Sequence, residues 1–322
     1  MSILPEILLD FLLKTLYNCK EREGDGKMKT KMIKGYAFVV ASAFIFGCMP
    51  LMAKFIYAEG VTPMSLVLLR NLLSLPILAA LASIRHGSLK IPLRALPQMS
   101  VIALMGCSIT PILLFYSYQY INSGTATVLH FIYPAVVVIF GMVLLKSRVR
   151  AGNIVSLILC VAGILLFYDP NAGFHPLGFA LALLSGVSYA AYVLLLSGFR
   201  YKEEIKGFTF CFYVAAVCTA VMLVVCLASG NLALPKSLSG WGLCLLFAVT
   251  LNVGAVLLFQ MGTFLIGGER ASILSTVEPI TSLFAGVIIF DEKLSVFAVI
   301  GAVLVLSASV LIAVLDAKKK EE

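Results

Sequence analysis

Long apolar stretches separated by short polar loops fill the chain from about residue 33 onward. No Asp, Glu, Lys or Arg occurs from Ala95 to Leu145, Gly207 to Pro235, Ser237 to Gly268 or Leu294 to Leu315. Roughly 20 helical residues cross the hydrocarbon of a bilayer, so charge-free runs of 18 or more predict transmembrane helices. Helix is the expected form because backbone groups in lipid must be satisfied within the segment. The runs are apolar on every face and lack the two-residue alternation of a membrane barrel. As one helix, Ala95 to Leu145 would extend roughly 75 Å, far more than a bilayer, and Asn122-Ser123-Gly124 supplies the turn that folds it back. The pattern predicts ten helices, at 34–55, 64–84, 98–119, 124–145, 151–168, 176–198, 207–229, 242–264, 270–290 and 294–315.

Two stretches of this pattern repeat. Gly35 to Ser42 (GYAFVVAS) matches Gly178 to Ser185 (GFALALLS), and Ala126 to Leu129 followed by Pro134 matches Ala271 to Leu274 followed by Pro279. Gly141 and Gly286 then match at the same offset as the prolines. The expected organisation is a first five-helix repeat over 33–168 and a second over 176–315. Five helices is an odd number, so the second repeat enters the membrane from the opposite side. Inverted repeats of this kind are a transporter architecture, with the solute site near the midplane between the halves. The predicted fold is therefore an all-α membrane protein of ten transmembrane helices, built as two inverted five-helix repeats.

Composition agrees with lipid as the solvent. Of 322 residues, 61% are apolar and 12% charged, against about 25% charged in soluble domains. The net charge of +8 does not form a nucleic-acid patch, because the basic residues sit in the loops. Twenty Lys and Arg fall on one predicted side, and only Lys54, Lys236 and Lys293 on the other. That asymmetry predicts cytoplasmic termini and an even number of spans. Residues 1–32 place Glu6, Asp10 and Lys14 among Ile3, Leu4, Ile7, Leu8, Phe11 and Leu12, which leaves two readings. The segment is an amphipathic interfacial stripe, or translation starts at Met28 or Met32. Residues 316–322 form a charged tail expected in the cytoplasm. Lys319-Lys320-Glu321-Glu322 resembles a dilysine retrieval signal, but the basic residues read better as positive-inside charge, and a multi-pass protein of the cell (plasma) membrane is expected.

Candidate functional residues follow from the cost of polarity in lipid. Arg70 and Glu278 are the charged residues placed well inside predicted helices, and such residues face a partner or a water-filled cavity. Glu278 precedes Pro279, whose missing N–H loosens the preceding turn and exposes carbonyls to a solute or ion. A proton-binding site is one reading of Glu278, and a structural carboxylate is the other. Arg70 offers forked donors to an anionic group, or snorkels to brace a helix end. His130 and Tyr133 precede Pro134 in the counterpart helix, and paired broken helices are the sequence pointer to a transport site; a packing role for His130 stays open. Tyr116, with Tyr118, Tyr120, Tyr189 and Tyr192, lines a pathway or joins the interfacial belt. Asn252 and Gln260 would share one face of the eighth helix, as solute ligands or helix-to-helix bonds.

No H-E-x-x-H, G-x-S-x-G or Walker A sequence is present, and the eight cysteines lack metal-ligand spacing. An enzyme is therefore not expected, nor a cofactor or metal.

The residues Leu69-Arg70, Tyr116 to Ala126, His130 to Pro134 and Arg270 to Leu294, with Glu278-Pro279 and Asp291-Glu292-Lys293-Leu294, resemble the EamA family of the drug/metabolite transporter superfamily. The resemblance covers about residues 33–315 and implies ten helices with cytoplasmic termini. It also implies export of amino acids, other metabolites or drugs, driven by ion gradients or exchange. The family often carries a Glu after the fourth helix as well as after the ninth; here the equivalent of Glu292 is Ser147, between Lys146 and Arg148. The function expected is secondary active transport of a small metabolite or amino acid by alternating access. A small-molecule solute, the lipid bilayer and a proton or exchanged solute are its partners, and the fifth and tenth helices offer a homodimer contact. The alternative is a scaffold or subunit that uses the same fold without transporting.

Overall fold

A computed structural model describes residues 25–86, 89–121, 123–137, 140, 151–166 and 175–282, with scattered positions from 296 to 311. The amino-terminal stripe, Ser147, Glu292 and the charged tail lie outside the described residues.

Helices α1 (Thr30–Ala58), α2 (Pro63–Arg85) and α3 (Leu93–Ser117) are followed by the shorter α4 (Ser123–His130) and α5 (Ala151–Leu165). Helices α6 (Pro176–Ser197), α7 (Gly207–Ala228) and α8 (Leu238–Ile266) then lead to α9 (Gly268–Leu274). No strand occurs among the described residues. Six of these helices, α1 to α3 and α6 to α8, are long and apolar enough to cross a membrane. Their outer faces are greasy: on α7, Leu223, Val224 and Leu227 are exposed while Val214, Cys218 and Met222 are buried. A helix apolar on both faces suits a bundle whose surroundings are hydrocarbon.

Packing follows the internal repeat. α1 lies along the second half of α8, and its sequence counterpart α6 lies along the second half of α3. α1 also packs against α9 as α6 packs against α4, while the counterparts α2 and α7 pack against each other. Each half therefore completes its core with helices of the other, which is the pairing expected of two related halves around an approximate two-fold axis. Small residues allow the close crossings. A Cβ on Gly186 of α6 would lie 2.6 Å from the His130 carbonyl oxygen, and one on Gly47 of α1 would lie 2.9 Å from that of Glu278.

Three breaks and two π-helical segments set the local geometry. α1 breaks at Cys48 and resumes with Pro50 in its first turn. α4 ends at His130 and helix resumes at 133–137, while α9 ends at Leu274 and resumes at 277–282. These last two breaks precede Pro134 and Pro279, the prolines matched by the repeat. α3 and α8 are continuous but carry π-helical segments, Ala103–Ile109 and Val249–Val256. The 145-residue shift that superposes the two prolines also brings the π segments onto each other to within about two residues. A serine from the opposite half donates into each: Ser188 Oγ to the Met105 carbonyl at 3.1 Å, and Ser42 Oγ to the Ala255 carbonyl at 2.8 Å.

The loops are tied across the halves at both ends of the bundle. At one end Ser65 Oγ donates to Asn231 O (3.1 Å) and accepts from Ala233 N (2.8 Å), while Ser237 Oγ donates to Glu59 Oε2 (2.7 Å). At the opposite end Gln98 Nε2 donates to Gly198 O (3.2 Å), and Tyr213 OH donates to Leu89 O (2.9 Å).

Candidate functional site

The helix interruptions converge on one cavity. It encloses about 530 Å³ not filled by atoms, its mouth included, and Arg70, His130 and Glu278 are all in its wall. Phe46, Met49, Gly106, Cys107, Thr110, Pro111 and Leu114 contribute from α1 and α3, and Tyr189, Tyr192, Val256 and Phe259 from α6 and α8. The prolines explain the location. A proline in a helix leaves the carbonyl four residues earlier without its backbone donor. For Pro50, Pro111 and Pro134 those carbonyls belong to Phe46, Cys107 and His130, and all three residues line the cavity. For Pro279 it is Ser275, whose carbonyl is taken up by the backbone N–H of Glu278 at 2.9 Å. The break before Pro279 thus fixes the backbone position of the carboxylate.

Arg70 is 3% exposed. Its Nη2 donates to the freed Cys107 carbonyl at 3.4 Å, an acceptor shared with Cys218 Sγ at 3.1 Å, and its Nε has no partner. A guanidinium so buried is costly unless charge or hydrogen bonds compensate it. It therefore stands ready for an anionic or carbonyl group arriving in the cavity. Glu278 reaches the same cavity from the other half of the chain. The same cavity has an aromatic wall: Tyr189 is 5.3 Å from Tyr192 and 5.7 Å from Phe259 between ring centroids, and Tyr192 stacks on Phe259 at 6.1 Å. His130 sits 5.3 Å from Tyr189, and its Nδ1 bonds Ser185 Oγ at 2.9 Å.

The remaining residues singled out by sequence lie behind or away from this wall. Tyr133 is one layer back, 4.7 Å from the Tyr189 ring, and its hydroxyl donates to Ser272 O of α9 at 3.4 Å. Pro134 and Pro279 are buried in the broken segments. Tyr116 is half-buried near the end of α3, outside the cavity wall. Asn252 is a helix-to-helix clamp: Nδ2 donates to Arg70 O (3.0 Å), Asn71 Oδ1 (3.0 Å) and Ser74 Oγ (3.1 Å), all on α2. Gln260 accepts from Cys211 Sγ of α7 at 2.7 Å. Asn252 lies in the π segment of α8 and Gln260 in the α-helical part beyond it.

Sequence reasoning did not single out Phe46, Met49, Gly106, Cys107, Thr110, Pro111 or Phe259. The available signal was Pro50 and Pro111, intrahelical prolines of the same kind as Pro134 and Pro279. Among the described residues, no group of three or more His, Cys, Asp or Glu is arranged to hold a metal.

The model of the EamA-like transporter family matches residues 33–169 and again 176–314. The chain belongs to that family. Relatives include an uncharacterized transporter of Clostridium kluyveri, 22% identical over 87% of this chain and 93% of its own length. The uncharacterized transporter YcbK of Bacillus subtilis is 26% identical over 83% of this chain and 88% of its own. One solved crystal structure superposes with a TM-score of 0.70 at 18% identity, covering 91% of this chain and 99% of that one, a likeness of fold. This EamA-like protein is a multi-pass membrane transporter that handles a small-molecule solute.

Proposed function

We propose that the protein is a secondary active carrier that exports a small metabolite or amino acid across the plasma membrane by alternating access. The observation that carries the reading is the cavity itself. Arg70 and His130 from the first repeat and Glu278 from the second meet where the proline-broken helices of both repeats converge. Solute sites between repeats, formed by discontinuous helices, are how such carriers expose one site to two sides in turn. The ten-helix topology, with cytoplasmic termini and repeats over 33–168 and 176–315, belongs to the same reading and rests on the loop charges.

Within it, Arg70 binds the anionic or carbonyl end of the solute. The rings of Tyr189, Tyr192 and Phe259 hold its apolar body. Glu278 binds a proton or the cationic end of the solute and couples its passage to the gradient. No step requires bond making or breaking, so no catalytic residue or cofactor is assigned.

The test is uptake and efflux in proteoliposomes with an imposed pH gradient, screened over amino acids and small metabolites, comparing wild type with Glu278→Gln. Gradient-driven movement of a solute that the variant no longer couples supports the carrier reading. Movement unchanged by the substitution would make the carboxylate structural and leave facilitated transport or exchange.

A further inference from the structure

The cavity wall holds Arg70 and Glu278, and beside the hydroxyls of Thr110, Tyr189 and Tyr192 it holds the imidazole of His130. What His130 offers a solute depends on which ring nitrogen carries the proton. Ser185 decides this. Its hydroxyl has one hydrogen, and its oxygen lies 2.6 Å from the carbonyl of Ala182, one turn back along α6. Two oxygens at that distance are held together only by a proton between them, so the Ser185 hydrogen goes to Ala182. The second contact of the same oxygen, 2.9 Å from His130 Nδ1, must then be one in which Ser185 accepts. His130 Nδ1 therefore carries the hydrogen, and in the neutral imidazole Nε2 is left as a lone-pair acceptor.

The surroundings keep this arrangement in place. Ser185 is fully buried and His130 is 6% exposed. The imidazole is edge-on to Phe131 at 5.8 Å and tilted against Tyr133 at 5.5 Å and Tyr189 at 5.3 Å. Nδ1 is turned to Ser185 of α6, and His130 is one of the residues in the cavity wall. Gly186, next to Ser185, admits the His130 backbone closely: a Cβ there would stand 2.6 Å from the His130 carbonyl oxygen.

We propose that Ser185 fixes His130 as the Nδ1–H tautomer, so that Nε2 is a hydrogen-bond acceptor in the solute site and selects solutes that bring an N–H or O–H donor. This rests on the reading of the cavity as the solute site. It assigns Ser185 as a positioning residue, acting through His130, and it makes the site asymmetric. Donors come from Arg70, while acceptors come from Glu278 and His130. A solute with a donor group at one end and an acceptor at the other is held in one orientation.

The tautomer can be measured without any transport assay. The chain has three histidines, His86, His130 and His175, so ¹⁵N-histidine labelling of the purified protein with His130→Gln as the assignment control isolates one imidazole. Wild type should show a protonated Nδ1 and an unprotonated Nε2. Ser185→Ala should give a mixture of both neutral tautomers. A wild-type ring protonated at Nε2, or at both nitrogens, overturns the proposal, as does a Ser185→Ala spectrum identical to wild type. Titration with benzylamine, an aromatic donor, should move the Nε2 resonance, with ethylbenzene as the isosteric probe lacking the donor. Ser185→Ala should raise the benzylamine concentration for half-saturation by the inverse of the fraction of rings left with a free Nε2, about twofold for an even mixture. A benzylamine response no larger than that of ethylbenzene removes the acceptor role. Failure of transport in the proteoliposome test would leave the tautomer result intact, so the two readings fail separately.

Discussion

The crossing of α6 over the break in α4 depends on Gly186 having no side chain, and the cost of adding one can be worked out. A Cβ there would stand 2.6 Å from the His130 carbonyl oxygen, 3.3 Å from its carbonyl carbon and 2.9 Å from Ile132 Cγ2, where ordinary contact begins at 3.4 Å. The carbonyl belongs to the backbone and has no rotamer to escape into. Relief requires α4 and α6 to move apart by about 0.8 Å, in a region where His130, Tyr133 and Tyr189 are already in contact. Overpacking of this kind costs about 1–3 kcal/mol. Alanine also gains up to about 1 kcal/mol over glycine in a helix, so that gain must be controlled. Gly242→Ala in α8 provides the control, since a Cβ at Gly242 has nothing within 4 Å. The difference between the two variants isolates the collision. Thermal melting of the detergent-solubilised protein, followed by size-exclusion chromatography, should place Gly186→Ala below Gly242→Ala by roughly 3–10 °C, at about 2–4 °C per kcal/mol for a chain of this size. Equal melting temperatures, or Gly186→Ala the higher, would refute the tight crossing.

Other substitutions test the remaining geometry. Asn252→Leu removes the donor that serves Arg70 O, Asn71 Oδ1 and Ser74 Oγ; stranded buried acceptors should cost about 1–3 kcal/mol, read as a lower melting temperature, and no loss would mean that the α2–α8 clamp is not formed. Ser237→Ala removes the acceptor for Gly240 N at the start of α8 and the donor to Glu59. A loss of about 1 kcal/mol is expected from the cap, and Ser237→Asp should fail to restore it fully, because a carboxylate would face Glu59.

The sequence made the membrane class legible because a charge-free run of helical length has one physical meaning. It made the broken α4 and α9 legible through Pro134 and Pro279, whose missing N–H acts locally whatever the tertiary structure. Glu278, Arg70 and His130 could be singled out because polarity in an apolar helix needs a partner or a cavity. Packing was not legible. That Tyr189 and Tyr192 face the cavity while Tyr116 does not depends on how α6 and α3 are rotated, which apolar residues on every face do not encode. The π segments of α3 and α8 leave no mark in composition. Gly106 and Gly186 read as ordinary helix glycines until Tyr192 and the His130 carbonyl are found against them.

The ties at the two ends of the bundle carry a further implication. Each end is held by a handful of neutral or singly charged hydrogen bonds from one half of the chain to loops of the other, each worth about 1 kcal/mol net. The cysteines among the described residues are free, so none of them welds an end through a disulfide. For a carrier that alternates as proposed, this resembles a balance with light weights on both pans. About 1.4 kcal/mol at either end changes the ratio of two states tenfold, so one bond such as Ser237 to Glu59 is heavy enough to tip it and light enough to be broken in every cycle.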